Sequence, residues 1–218
     1  MEQVSAENRE YLVFPGKFDV GIVLVHEIMG LDEYARSVAG QLAGAGYPAV
    51  AVDLFRGRQA ATLQEGFDMV GQLTHEEVLR ALSGGVRLLR ERLREKGVIG
   101  SMGFCMGGGY ALQGACDLDF GFCIDYYGMI PHTDDVRGLQ GPVILFLGSE
   151  DPRVTPWAYA SFLPDATRYK KRVDVHLYPG AGHAFHRPSW EGHNPAAAKD
   201  AWAKTMAFLS ERRMELTG

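Results

Sequence analysis

Between Val98 and Leu118 the chain changes its period without a spacer. Val98-Ile99-Gly100-Ser101-Met102-Gly103 reads as a buried strand and Gly107 to Leu118 as a helix, so the reversal is confined to Phe104, Cys105 and Met106. A strand that becomes a helix so abruptly forces unusual dihedral angles on the corner residue. It also crowds the positions two places away on either side. Glycine at 103 and 107 relieves that crowding, and few folds need a corner this tight. Those that do run strand into helix repeatedly.

The rest of the chain repeats the alternation. Tyr11 to Phe14 is expected as an edge strand, followed by strands at Val20 to His26, Pro48 to Asp53, Phe120 to Tyr127, Val143 to Gly148 and Val173 to Leu177. Asp32 can cap a helix carrying Tyr34, Val38, Leu42 and Ala45 on one face and ending near Gly46. Arg56 to Ala61 is polar and irregular, and the chain is helical again from about Leu63. Thr74 and Glu77 form a capping-box pattern before a long helix with Val78, Leu82, Val86, Leu89 and Leu93 inward. The charges on its other face, from Arg87 to Glu95, suit a solvated surface. Further helices are expected near Pro156 to Tyr169 and from Pro195 to Arg213, the last burying Trp202, Met206 and Leu209. Glycine, 27 of 218 residues, collects where apolar runs end. The expectation is an α/β fold: residues 1–218 as one domain, with a mainly parallel sheet covered by helices on both faces.

Charge and cysteine content narrow the classes of function. Lys and Arg number 22 against 27 Asp and Glu, which argues against general binding to nucleic acid or anionic lipid. No apolar run approaches the ~20 residues of a membrane span, and no secretory signal opens the chain. Three cysteines without a Cys-x-x-Cys pair suggest thiols in a reducing cytoplasm. A cytoplasmic monomer acting on a small molecule, without a cofactor, is the reading these features favour.

Gly103-Phe104-Cys105-Met106-Gly107 is the Gly-x-Ser-x-Gly corner with sulfur in place of oxygen. It holds a thiol at a helix N-terminus, where unpaired N–H groups and the helix dipole favour the thiolate. A nucleophile of this kind needs a base and an orienting acid. Asp151 follows the strand ending at Gly148, and His183 follows the strand ending at Leu177 in a loop flanked by glycines. Both therefore emerge at the sheet rim that carries Cys105. Asp125 is the chief rival as acid, with Glu150 behind it. His183, His186 and His193 do not make a zinc pattern, since neither their spacing nor a neighbouring carboxylate or cysteine completes one, and no metal is expected. His26, His75, His132 and His176 read as packing or surface residues.

Four segments together resemble the dienelactone hydrolase (carboxymethylenebutenolidase) family of α/β-hydrolases. They are His26-Glu27-Ile28-Met29-Gly30, Gly103 to Gly108, Gly148-Ser149-Glu150-Asp151 and Gly182-His183-Ala184-Phe185-His186-Arg187. They stand in family order and span nearly the whole chain. The resemblance implies a catalytic triad of Cys105, Asp151 and His183, with Glu27 as an additional glutamate beside the nucleophile. It further implies that Arg187 holds a substrate carboxylate, together with Arg56 or Arg58. Met29 replaces an aromatic residue and Ala184 a hydroxyl common in the family, so the pocket wall differs.

Sulfur limits the substrate. A thiolate attacks well but is also readily expelled from the tetrahedral intermediate, so enol or other activated leaving groups compete where simple alkoxides do not. The expected substrates are enol-lactones or activated esters, opened through a thioester, with the N–H groups of Ile28 and Met106 as the oxyanion hole. A carboxylate at Glu27 would oppose thiolate formation and keep Cys105 neutral until an anionic substrate rearranges the site. Other readings are a broader thiol carboxylesterase, a non-catalytic binding module of the same fold, and a thiol redox protein, the last disfavoured because no second cysteine lies close to Cys105 in sequence.

Overall fold

The computed structural model describes residues 1–6, 9–129, 136–154, 159–160 and 162–216. Its strands are β1 (Glu2–Ala6), β2 (Arg9–Phe14), β3 (Val20–Val25), β4 (Ala49–Val52), β5 (Val98–Phe104), β6 (Cys123–Tyr126), β7 (Val143–Gly148) and β8 (Val173–Tyr178). Its helices are α1 (Glu33–Gly44), α2 (Leu63–Val70), α3 (His75–Arg90), α4 (Met106–Asp117), α5 (Phe162–Arg168) and α6 (Pro195–Glu215). The strands form one sheet in the order β1-β2-β4-β3-β5-β6-β7-β8. From β4 to β8 every pairing is parallel, while β2 runs antiparallel to both β1 and β4.

Parallel strands need crossovers, and the helices supply them on both faces. Ser101 of β5 donates its hydroxyl proton to the Ala111 carbonyl of α4 at 2.9 Å, which puts α4 on the Ser101 face. A side chain at Gly85 of α3 would meet Val23, whose register partner is Ser101, so α3 covers the same face. Phe104 points the other way by strand alternation. It packs against Tyr34 of α1 and Tyr126, and the Tyr126 hydroxyl lies 2.7 Å from Thr205 of α6. Valine, isoleucine and leucine of β3 and β4 are essentially inaccessible between these layers, as strands buried on both faces must be.

Local signals were followed closely. Asp32 Oδ1 accepts the Ala35 N–H at 3.1 Å, and Thr74 and Glu77 form the reciprocal capping box. Three expectations change. The strand at Tyr11 to Phe14 is not an edge, because Glu2–Ala6 pairs beyond it; that edge strand carries little apolar residue of its own and is held by the hairpin. The strand at Phe120 to Tyr127 shortens to Cys123–Tyr126. In α6 the buried residues are Ala197, Ala198, Ala201, Thr205, Phe208, Leu209 and Arg212, while Trp202 and Met206 are only half-buried. Small side chains let that helix approach the sheet closely, so the bulkier stripe is turned aside. The expected helix from Pro156 to Tyr169 is seen as α5, and its start lies outside the described residues, as does His132. None of the described helices is long and apolar enough to cross a membrane.

Candidate active site

The site forms where β3, β5, β6, β7 and β8 end. Cys105 is the corner residue between β5 and α4, with φ 53° and ψ −123°, a conformation an L-residue holds only under constraint. The constraint is backbone crowding. A Cβ at 103 would overlap the Gly107 carbonyl, and one at 107 would overlap the carbonyls of Val25 and His26. The Cys105 N–H donates to the Tyr126 carbonyl at 3.0 Å, and its own carbonyl accepts from Gly108 at 3.0 Å. Tyr127 and Ala184, beside the same site, also have positive φ, at 41° and 56°.

The structure brings the thiol, His183 and Asp151 into one line. His183 Nε2 lies 3.0 Å from Cys105 Sγ, and His183 Nδ1 lies 2.8 Å from Asp151 Oδ2. Asp151 Oδ1 accepts the N–H groups of Arg153 and Val154 at 2.8 and 2.9 Å. Burial alone would raise the Asp151 carboxyl, but the hydrogen bonds from His183 and Val154 outweigh it and hold the group below the usual carboxylate range. Asp125 takes no part in this line. It lies beneath the corner, accepting from the Tyr159 hydroxyl at 2.9 Å and the Gly128 N–H at 2.8 Å. Glu150 is exposed.

Glu27 and Arg187 meet behind the thiol. Arg187 donates to Glu27 at 2.7 Å and to Asp32 at 2.5 Å, and its guanidinium lies over the Tyr34 ring. The Tyr127 hydroxyl donates to the other Glu27 oxygen at 3.3 Å. Burial pushes the Glu27 carboxyl up against the pull of Arg187. Burial, followed by the charge of Glu27, pushes the Cys105 thiol up to about 12, despite a hydrogen bond from the Met106 N–H. The thiol is therefore neutral at ordinary pH in this arrangement. Neutral His26 ties the neighbouring loops together: burial lowers its pKa, its Nε2 accepts the Leu54 N–H at 3.0 Å, and its Nδ1 faces the Glu27 carbonyl at 2.6 Å.

A cavity of about 850 Å³, open solvent at its mouth included, leads to Cys105, Glu27 and His183. Ile28 and Met106, the expected oxyanion donors, both line it. Its wall is otherwise mostly apolar: Leu63, Phe67 and Val70 of α2, with Met129, Ala184 and Trp190. Arg56 and Arg58 are not brought to this cavity. Arg56 is exposed and paired with Glu77 at 2.8 Å, and Arg58 reaches Gln72 at 3.2 Å in a separate surface depression. They follow β4 in an irregular turn that points outward. Sequence reasoning missed Tyr34, Tyr127, Arg153 and the α2 wall. Tyr127 and Arg153 had a signal, since each lies just past a strand end on the same rim; Tyr34 had none. Among the described residues no group of three or more His, Cys, Asp or Glu forms a metal-binding cluster.

A mostly parallel sheet with a strained corner residue after one strand, and an acid and a histidine after two later strands, is the α/β-hydrolase arrangement. Solved structures agree on the fold. A dienelactone hydrolase-like promiscuous phosphotriesterase, P91, from metagenomic libraries superposes with a TM-score of 0.83 at 21% identity, covering 96% of this chain and 97% of that one. An acylaminoacyl peptidase gives 0.74 at 16% identity, with 96% of this chain matched to 40% of the longer one. The family follows from sequence. The model of the dienelactone hydrolase family matches residues 9–212, and the chain belongs to that family. Carboxymethylenebutenolidase of Pseudomonas putida is 27% identical over 206 residues, 87% of this chain and 84% of the relative. Carboxymethylenebutenolidase 1 of Cupriavidus pinatubonensis is 28% identical, over 87% of this chain and 85% of the relative. The protein is a dienelactone hydrolase-like hydrolase.

Proposed function

We propose that the protein opens enol-lactones or activated carboxylic esters through a Cys105 thioester. The observation that carries this is the Cys105–His183–Asp151 line, at 3.0 and 2.8 Å. His183 takes the thiol proton as sulfur attacks the carbonyl carbon, and Asp151 orients and stabilises the resulting imidazolium. The N–H groups of Met106 and Ile28 receive the oxyanion. The leaving oxygen departs with the proton from His183, which then activates water against the thioester and returns the enzyme. Burial, with the Glu27 charge second, keeps the resting thiol protonated, which protects it from oxidation between turnovers.

Arg187 enters this scheme differently from the family expectation. It is closed on both sides by Glu27 and Asp32. We therefore assign it to holding Glu27, and a substrate carboxylate could reach it only by displacing that glutamate. The apolar cavity wall favours the second reading, a broader thiol carboxylesterase without lactone preference.

The test is hydrolysis of p-nitrophenyl acetate and of an enol-lactone by wild type, Cys105→Ala and iodoacetamide-treated protein. Loss of both activities in the variant, with an acyl adduct of the wild type caught by mass spectrometry on acid quenching, is the expected result. Retention of more than a few per cent of turnover by pure Cys105→Ala overturns the nucleophile. Turnover of p-nitrophenyl acetate without that of any lactone selects the broader esterase.

A further inference from the structure

One titratable side chain close to the site has no part in the hydrolytic scheme. His186, three residues after His183, is packed among the rings of Phe104, Tyr126 and Trp202. Its Nδ1 lies 2.8 Å from the Tyr34 hydroxyl. The Tyr34 and Tyr127 hydroxyls share a hydrogen bond, and Tyr127 donates to Glu27 Oε1 at 3.3 Å. His186, Tyr34, Tyr127 and Glu27 thus form one chain. None of the first three lines the cavity, so the chain reaches Glu27 from the side away from a substrate.

Each hydroxyl carries a single proton, so the chain runs in one direction at a time. Arg187 occupies Oε2 of Glu27 at 2.7 Å, which leaves Oε1 as the end of the chain. While Glu27 is ionised, Tyr127 donates to Oε1, Tyr34 to Tyr127, and a proton on His186 Nδ1 to Tyr34. When Oε1 carries a proton, every bond turns round. Glu27 then donates to Tyr127, Tyr127 to Tyr34, and Tyr34 to a bare Nδ1, with the imidazole proton on Nε2. Between the two states the chain takes up one proton from solvent: Oε1 and Nε2 each gain one, Nδ1 loses one, and each tyrosine keeps one. A neutral imidazole can end the chain either way, because a change of tautomer exchanges donor for acceptor at the same nitrogen. Burial, followed by the charge of His193, lowers the His186 pKa to about 4 and keeps the ring neutral.

We propose that Tyr34 and His186 are positioning residues for Glu27, forming with Tyr127 a reversible chain that satisfies both charge states of that carboxyl. This rests on the reading that the charge of Glu27 helps to keep the Cys105 thiol protonated. Arg187, Asp32 and His183 also act on Glu27, but their charges do not supply an outlet for the Tyr127 proton. Tyr127 is fully buried. Without the chain behind it, a neutral Glu27 would leave the Tyr127 proton with no acceptor. That loss exceeds the weaker polarisation of the same hydroxyl when Glu27 is ionised. The chain therefore lets Glu27 take up a proton at a higher pH than it otherwise would.

The experiment follows the imidazole nitrogen resonances of isotopically labelled histidine at pH 8, which needs no turnover. In wild type the proton of His186 should lie on Nδ1. Glu27→Gln stands for the protonated carboxyl: its oxygen faces Arg187 and its amide N–H faces Tyr127, so the His186 proton should move to Nε2. Tyr34→Phe keeps the ring beneath the Arg187 guanidinium and removes the link. In that background Glu27→Gln should leave the His186 tautomer unchanged. The carboxyl carbon resonance of Glu27 should also titrate about one pH unit or more lower in Tyr34→Phe than in wild type. The proposal is overturned if Glu27→Gln leaves the proton on Nδ1 or if the switch survives Tyr34→Phe. An equal or higher titration of Glu27 in Tyr34→Phe overturns it as well. The reading of Glu27 as guard of the thiol fails separately. Iodoacetamide would then alkylate Cys105 equally fast in wild type and Glu27→Gln, while the tautomer still switched.

Discussion

The thiol of Cys105 is held in its protonated form by two separable causes, and substitutions can divide them. Burial comes first and the charge of Glu27 second. Glu27→Gln removes the second, so the thiol should titrate lower and iodoacetamide should alkylate it about tenfold faster between pH 8 and 10. Arg187→Met should act in the same direction, although it removes a positive charge. Without Arg187, burial drives the Glu27 carboxyl further up toward its neutral form, and a neutral carboxyl no longer repels thiolate. Alkylation rates followed by mass spectrometry against pH check both; unchanged rates in the two variants would remove Glu27 as the cause. The acid is tested beside the thiol. Asp151→Asn should lower ester hydrolysis by about ten-thousandfold through loss of the orienting charge on His183. Asp125→Asn should change it little, because Asp125 bonds Tyr159 and Gly128 rather than the histidine.

Helix α2 forms one wall of the cavity and also touches the loop that offers the Ile28 N–H. At Gly66 an added Cβ would lie 2.7 Å from Ile28 Cγ1 and 2.8 Å from its carbonyl oxygen, so the helix or the loop has to shift. Gly66→Ala should therefore cut kcat by about tenfold or more through a misplaced oxyanion donor. The thermal midpoint should fall only slightly, because α2 is short and peripheral. A large fall in the midpoint with kcat preserved would contradict this. The elements that could be read from sequence are those fixed by neighbours in the chain: the Asp32 cap, the Thr74–Glu77 box, and the corner at Cys105 with glycines two places on either side. Those that could not be read depend on distant partners. Strand β1 exists because β2 pairs with it, and the orientation of α6 follows from how closely Ala201 and Thr205 let it approach the sheet. The same division runs through the site. Cys105, Asp151 and His183 follow strand ends in a readable order, whereas the cavity wall is assembled from α2 and from Trp190, which lie far apart in the chain.

At the scale of the molecule, Asp125 makes stability depend on pH. Its carboxyl is buried and pushed up from 3.8 to about 7. When protonated it can donate to the Tyr159 hydroxyl, which in turn lies 2.9 Å from the Gly128 carbonyl. The fold therefore holds this proton to a higher pH than the unfolded chain does. Its contribution is complete below about pH 4 and is lost as the pH rises through about 7. Urea unfolding at pH 5 and pH 8 should show wild type losing more stability between them than Asp125→Asn, which keeps a neutral side chain throughout. An equal loss in both proteins would assign the slope elsewhere. The order of the sheet also has a consequence in time. Cys105, the proposed nucleophile, leaves β5, while His183, 78 residues later, follows β8 at the far edge. Chains are synthesised from the N-terminus, and N-terminal parts emerge first. A growing chain therefore carries its thiol long before the imidazole proposed to activate it. On the proposed mechanism, the cysteine of a half-made molecule should stay chemically quiet toward esters until β8 pairs with β7.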